Sequence, residues 1–346
     1  MPQLLGGRRG ISKRKELLDE NAVVNWLLEE DQPAVRYYTL IDILGRRDND
    51  SEVREAYSKI PRRGWAKDIL ELQKPEGYWE PEKPSWSKDP LGWIEFLYRP
   101  KFVATNWRAL VLADLALTSK DKRIKKTADL FFNYKLVLGS PFNFFTEEAC
   151  IVGNTARMLT RFGYSDDYRV QKLYFRLLED QKEDGGWNCF RPDRGTLDNW
   201  EPLSAYAALP RQKRTRKIER SIAKGAEFYL ERNLFKEGKS YPPWLRFHYP
   251  NHYYYDILIG LDLLTKLGYA DDKRLGPALK ILKEKRQGDG RWLLEKVHPD
   301  LGPGVVESGF GMDKTPKPFA LEEAGKPSKW ITLLALRVLK RVGDAS

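Results

Sequence analysis

His252 and Asp256 are four residues apart, a spacing that sets two side chains on one face of a helix. Either can orient the other, which makes His252 a candidate general acid or base. The chain has three histidines, and two of them fall in the run HYPNH at 248–252. Pro250 stops a helix from running back to His248. Glu201 and Tyr253 complete a candidate catalytic set, because carboxylates and His/Tyr pairs carry acid–base chemistry. Trp107, Glu147, Trp200, Tyr254 and Trp330 are the candidate substrate contacts, since ring faces hold apolar and cationic bodies. The plainer reading is capping and packing: Asn, Ser, Asp and Glu are ordinary residues at helix starts. A buried hydrogen-bonded His–Asp pair is equally ordinary. Three Trp, three consecutive Tyr and a His at helix starts are more than capping requires.

Other chemistry is missing from the sequence. No phosphate-binding G-x-x-x-x-G-K-[ST], dinucleotide G-x-G-x-x-G, zinc-protease H-E-x-x-H or nucleophile-elbow G-x-S-x-G occurs. Two cysteines cannot build a disulfide framework, a zinc finger or a zinc ribbon.

The elements that would position these residues come from a repeat. Gln73-KPEGY-Trp79, Gln181-KEDGG-Trp187 and Arg286-QGDGR-Trp292 share one pattern, with tryptophans 108 and 105 residues apart. Residues 163–187 match 268–292 at ten of 25 positions. Degenerate copies near 136–143 and 233–241 halve the period to about 52 residues, the length of two helices with loops. One set of segments is amphipathic at helical spacing: 14–29, 50–73, 121–137, 166–182, 214–232 and 271–286. A second set is apolar nearly all round: 34–44, 105–118, 147–162, 200–209, 252–267 and 329–341. Helices apolar on every face are buried. Six buried and six exposed helices in alternation predict an all-α fold, an (α/α)6 toroid in one domain spanning 1–346. Residues 1–13 read as a basic tail. The loop 296–327 reads as a cover over the barrel mouth, since so long a loop is usually functional. The inner-helix N-termini would gather at that mouth, where their dipoles suit anions.

The Q-x-x-D-G-x-W segments resemble the QW repeats of the terpenoid cyclase and protein prenyltransferase superfamily. That resemblance covers about Trp65 to the C-terminus and implies an α/α toroid that handles isoprenoids, as squalene cyclases and prenyltransferase β subunits do. The copy at 181–187 is complete, whereas 73–79 has Glu for Asp and 286–292 has Arg for Gln. The superfamily's D-x-D-D acid and D-D-x-x-D metal motifs are lacking here; Asp166-Asp167 and Asp271-Asp272 repeat before exposed helices and read as caps. Prenyltransferase zinc needs Asp and Cys one residue apart, but Asp198-Asn199-Trp200 puts Trp in the Cys place. Cys189 reaches that place only if its loop folds back. No metal and no cofactor are therefore expected.

The net charge is +11, with mean hydropathy −0.60 and 32% charged residues. The basic blocks Arg8–Lys15 and Arg211–Arg220 lack interleaved aromatics, so they read as solvated faces rather than a nucleic-acid platform. No apolar run approaches a membrane span and no leader is visible, so the cytosol is the expected compartment. The leading expectation is an isoprenoid-handling protein with an apolar aromatic cavity, cyclase-like or prenyl-transferring if catalytic. A glycan-active (α/α)6 barrel using rim carboxylates, or a non-catalytic binding toroid, are the alternatives.

Overall fold

Two kinds of helix alternate along the chain, and each kind packs differently. The computed structural model describes residues 21–79, 96–98, 102, 104–133, 148–238, 241–252, 254–297 and 320–344. Among them the structure is all-α, with three isolated β-bridges and no strand. After a helical stretch at 21–27 the helices are α1 (Pro33–Tyr38), α2 (Ser51–Lys59), α3 (Gly64–Glu71) and α4 (Thr105–Asp114). Next come α5 (Lys122–Asn133), α6 (Ala149–Leu159), α7 (Tyr168–Asp180) and α8 (Glu201–Ala208). The last four are α9 (Arg216–Glu231), α10 (Ile257–Leu267), α11 (Gly276–Glu284) and α12 (Lys329–Arg341). None of these is long and apolar enough to cross a membrane.

Helices α4, α6, α8, α10 and α12 are buried on nearly every side. They are neighbours in order: α4 on α6, α6 on α8, α8 on α10, α10 on α12, and α12 on α1. The amphipathic helices flank them, with α2 on α1, α3 and α5 on α4, α7 on α6 and α8, α9 on α8 and α10, and α11 on α10. Each buries one stripe, as α7 does with Val170, Leu173, Tyr174 and Leu177. The closest approach is α6 against α8. A Cβ at Gly153 would lie 2.5 Å from the Glu201 carbonyl carbon, so only glycine fits there.

The three tryptophan segments repeat one geometry. Trp79, Trp187 and Trp292 are fully buried and donate their indole N–H to Ile69, Leu177 and Leu282, each ten residues earlier, at 2.8, 2.9 and 2.8 Å. Gln73 donates to Arg123 O and Thr127 Oγ1 on α5; Gln181 donates to Ser221 O on α9. The glutamine thus ties the end of one amphipathic helix to the next. In the third copy the Arg286 guanidinium lies 5.5 Å over the Trp292 ring instead, within the reach of about 6 Å of a cation–π contact. The acidic pairs are caps, as expected: Asp167 accepts from Arg169 N, and Asp272 from Arg274 N.

Two segments depart from the sequence reading. The helix expected over 50–73 is split into α2 and α3 by a 3-10 turn at Ile60–Arg62 and by Gly64 at φ +67°. Pro61 removes a backbone donor at that point. The helix expected over 252–267 starts at Ile257, because Asp256 caps it by accepting from Ile259 N. His252 and Asp256 therefore do not share a helix face. The basic tail 1–13, Glu147, Tyr253 and most of the loop 296–327 lie outside the described residues.

Candidate functional site

A cavity of about 680 Å³ is walled by α1, α2, α4, α6, α8, α10 and α12. Helical periodicity sets what each contributes. From α12 come Trp330, Leu334, Arg337 and Arg341; from α10, Ile259, Asp262, Leu263 and Lys266. These spacings of three and four residues describe one face of each helix. Arg157 on α6 and Arg161 just beyond it are again four apart, while α4 supplies Asp114 and α1 supplies Tyr38.

The cavity is polarised along the helix axes. Trp200, Trp330 and Tyr249 line it beside the N-terminal ends of α8 and α12, and the Tyr249 and Trp330 rings lie 4.8 Å apart. Arg161, Lys266 and Arg341 line it at the C-terminal ends of α6, α10 and α12. The lining is exposed at Arg54, Lys120 and Lys266, so the cavity opens on that side.

Most of these charges are paired. Arg161 binds Asp114, Arg337 binds Asp42 at 2.6 Å, and Arg341 binds Asp262 at 2.7 Å. Arg157 lies 3.7 Å from Asp114 and 5.0 Å over the Trp200 ring. Lys266 makes no ion pair or hydrogen bond among the described residues. Its side chain is wetted by the cavity yet walled by protein. The loss of bulk water around the amine, and then Arg161, bring it down to about 8. The Nε atoms of Arg157 and Arg337 and Nε1 of Trp200 are buried with no partner among the described residues. So is the Tyr249 hydroxyl. These atoms lie inside the wall rather than open to the cavity, so the cations that line it, Lys266 above all, are what an anion would meet.

The residues singled out from sequence fall into three places. Trp200 and Trp330 line the cavity. Trp107 and His252 do not; with Phe102 they form a triangle of rings, the centroids 5.2 Å apart for Trp107 and His252, 5.5 Å for Phe102 and His252 and 5.7 Å for Phe102 and Trp107. Asp256 is a structural acid: besides capping α10 it accepts His248 N–H at 3.1 Å and lies 2.7 Å from His248 Nδ1. The His–Asp pair is thus formed by His248, not His252. Tyr254 presents an edge to the His248 ring. Glu201 is completely buried as the first residue of α8, with neither carboxyl oxygen partnered among the described residues. Burial pushes it well above the usual carboxylate range, helped by Cys189.

No family model, no curated protein and no solved structure matches the chain. The site therefore rests on its own geometry. Sequence reasoning missed Arg157, Arg161, Lys266, Arg337 and Arg341. Their signal was present: cations four residues apart inside helices that are otherwise apolar all round. A charge on a buried helix must face a partner or a cavity.

Proposed function

We propose that this chain is an (α/α)6 toroid whose central cavity binds an isoprenoid with an anionic head, diphosphate being the class that fits. The observation that carries the reading is the cavity's polarity. Trp200, Trp330 and Tyr249 at one end suit an apolar chain, and Arg161, Lys266 and Arg341 at the other, Lys266 without an ion pair among the described residues, suit phosphate oxygens. The resemblance of the tryptophan segments to QW repeats supports the same class. The sequence reading put anions at the helix N-termini over an apolar aromatic cavity; the cations Arg161, Lys266 and Arg341 lie instead at the C-terminal ends. Glycoside chemistry needs two free carboxylates. Of the four aspartates that line the cavity, three are paired with arginine and only Asp48 is left.

Calorimetric titration with farnesyl diphosphate, farnesol, pyrophosphate and a linear oligosaccharide tests this. Farnesyl diphosphate is expected to bind at least about tenfold tighter than either half of itself, a difference of about 1.4 kcal/mol or more. Equal binding of farnesol, or saturable binding of the oligosaccharide alone, contradicts the reading.

A further inference from the structure

The chain has two cysteines, Cys150 and Cys189, and the fold brings them together with their sulfurs 3.1 Å apart. Cys150 is the second residue of α6, and Glu148 is that helix's N-cap residue. Cys189 arrives from the loop that follows Trp187. That loop does fold back: Cys189 N–H donates to Asn199 Oδ1 at 3.0 Å, and Asn199 Nδ2 donates to Cys189 Sγ at 3.2 Å. Glu148 Oε2 lies 3.7 Å from Cys150 Sγ, and one ligand atom from each of the three residues lies within 4.8 Å of the others. Neither cysteine lines the central cavity.

We propose that Glu148, Cys150 and Cys189 form a binding site for a thiophilic divalent cation, zinc by ligand chemistry. Two sulfurs and one carboxylate oxygen are a zinc donor set, and thiolates select against calcium and magnesium. Bond lengths of about 2.3 Å to sulfur and about 2.0–2.2 Å to oxygen give tetrahedral edges of roughly 3.5–3.8 Å. The Cys150–Glu148 separation already has that value. The sulfurs must part by about 0.7 Å to reach it, less than the ~1 Å of approach that a disulfide bond requires. All three residues are half-buried, so an ion can enter and the thiol protons can leave to solvent as it binds. Asn199 supplies the outer hydrogen bond that orients a ligating sulfur. Three protein ligands leave the fourth position to water. The ion would pin the 187–200 loop to the start of α6, one residue from Trp200 in the cavity wall.

The test uses the full chain, reduced and freed of metal, then titrated with zinc and, separately, with cobalt(II). One ion per chain and a thiolate-to-cobalt charge-transfer absorption are expected. Zinc should also protect both cysteines of the unsubstituted protein from iodoacetamide, a readout that needs no variant to fold. Cys189→Ser and Glu148→Gln should each weaken binding by at least about tenfold. Alkylation at the same rate with and without zinc overturns the proposal. So does undiminished zinc binding by a folded Cys150→Ser, Cys189→Ser double variant, or a disulfide that forms in air despite saturating zinc.

Discussion

Lys266 is the side chain on which an anionic ligand would depend most. Its neighbours Arg161, Arg337 and Arg341 already hold aspartates, whereas its ammonium makes no ion pair among the described residues. The amine titrates at about 8. Its ammonium form is present below that value and lost above it. Affinity for farnesyl diphosphate should therefore hold up to about pH 8 and fall as pH rises further, when followed by tryptophan fluorescence. Lys266→Ala should bind about ten- to a hundredfold more weakly at neutral pH, the scale of a charge-assisted contact, and should lose the alkaline fall. An unchanged profile in the variant removes Lys266 from the site.

Asp256 makes the opposite kind of prediction. It accepts from Ile259 N and His248 N and lies against His248 Nδ1, all in a buried place. Asp256→Ala deletes a cap and leaves buried donors unpaired. The expected loss is about 2–4 kcal/mol in denaturant unfolding, with ligand affinity intact in the folded fraction. Normal stability with lost binding would instead return Asp256 to the catalytic set expected from sequence.

Among the elements, the tryptophan segments bury a whole indole each and hydrogen-bond it to the helix before. Trp187 fills the space beside Gly225 and Leu203 and hydrogen-bonds Leu177 O. Trp187→Ala should cost about 3–5 kcal/mol by equilibrium unfolding, as large-to-small changes in a core do. A loss below about 1 kcal/mol would show that the repeat is not what fixes the helices. Helix identity was legible in the sequence because burial leaves a record in composition: α10 and α12 are apolar on faces that an exposed helix would make polar. Helix starts were less so. The start of α10 turned on a single cap, and an i,i+4 argument for His252 and Asp256 depends on both residues being inside the helix. The meeting of Cys150 and Cys189 was not legible, because it depends on how the 187–200 loop folds over 39 residues of separation.

At the scale of the molecule, α1, α4, α6, α8, α10 and α12 each turn a face toward one cavity among the described residues. That arrangement explains why charged residues occur on otherwise apolar helices, and why they sit at matching heights: Arg161, Lys266 and Arg341 near C-termini, Trp200 and Trp330 near N-termini. Cations at helix C-termini also complement the helix dipoles, which offsets part of the cost of gathering them. The most direct measurement of the central claim is photo-crosslinking with a benzophenone-bearing isoprenoid diphosphate, followed by peptide mapping. The account predicts labelling of the peptides that carry Trp200, Tyr249, Ile259 and Leu334, abolished by excess farnesyl diphosphate and not by farnesol. Labelling confined to the amphipathic helices, or labelling that farnesyl diphosphate does not displace, would contradict it.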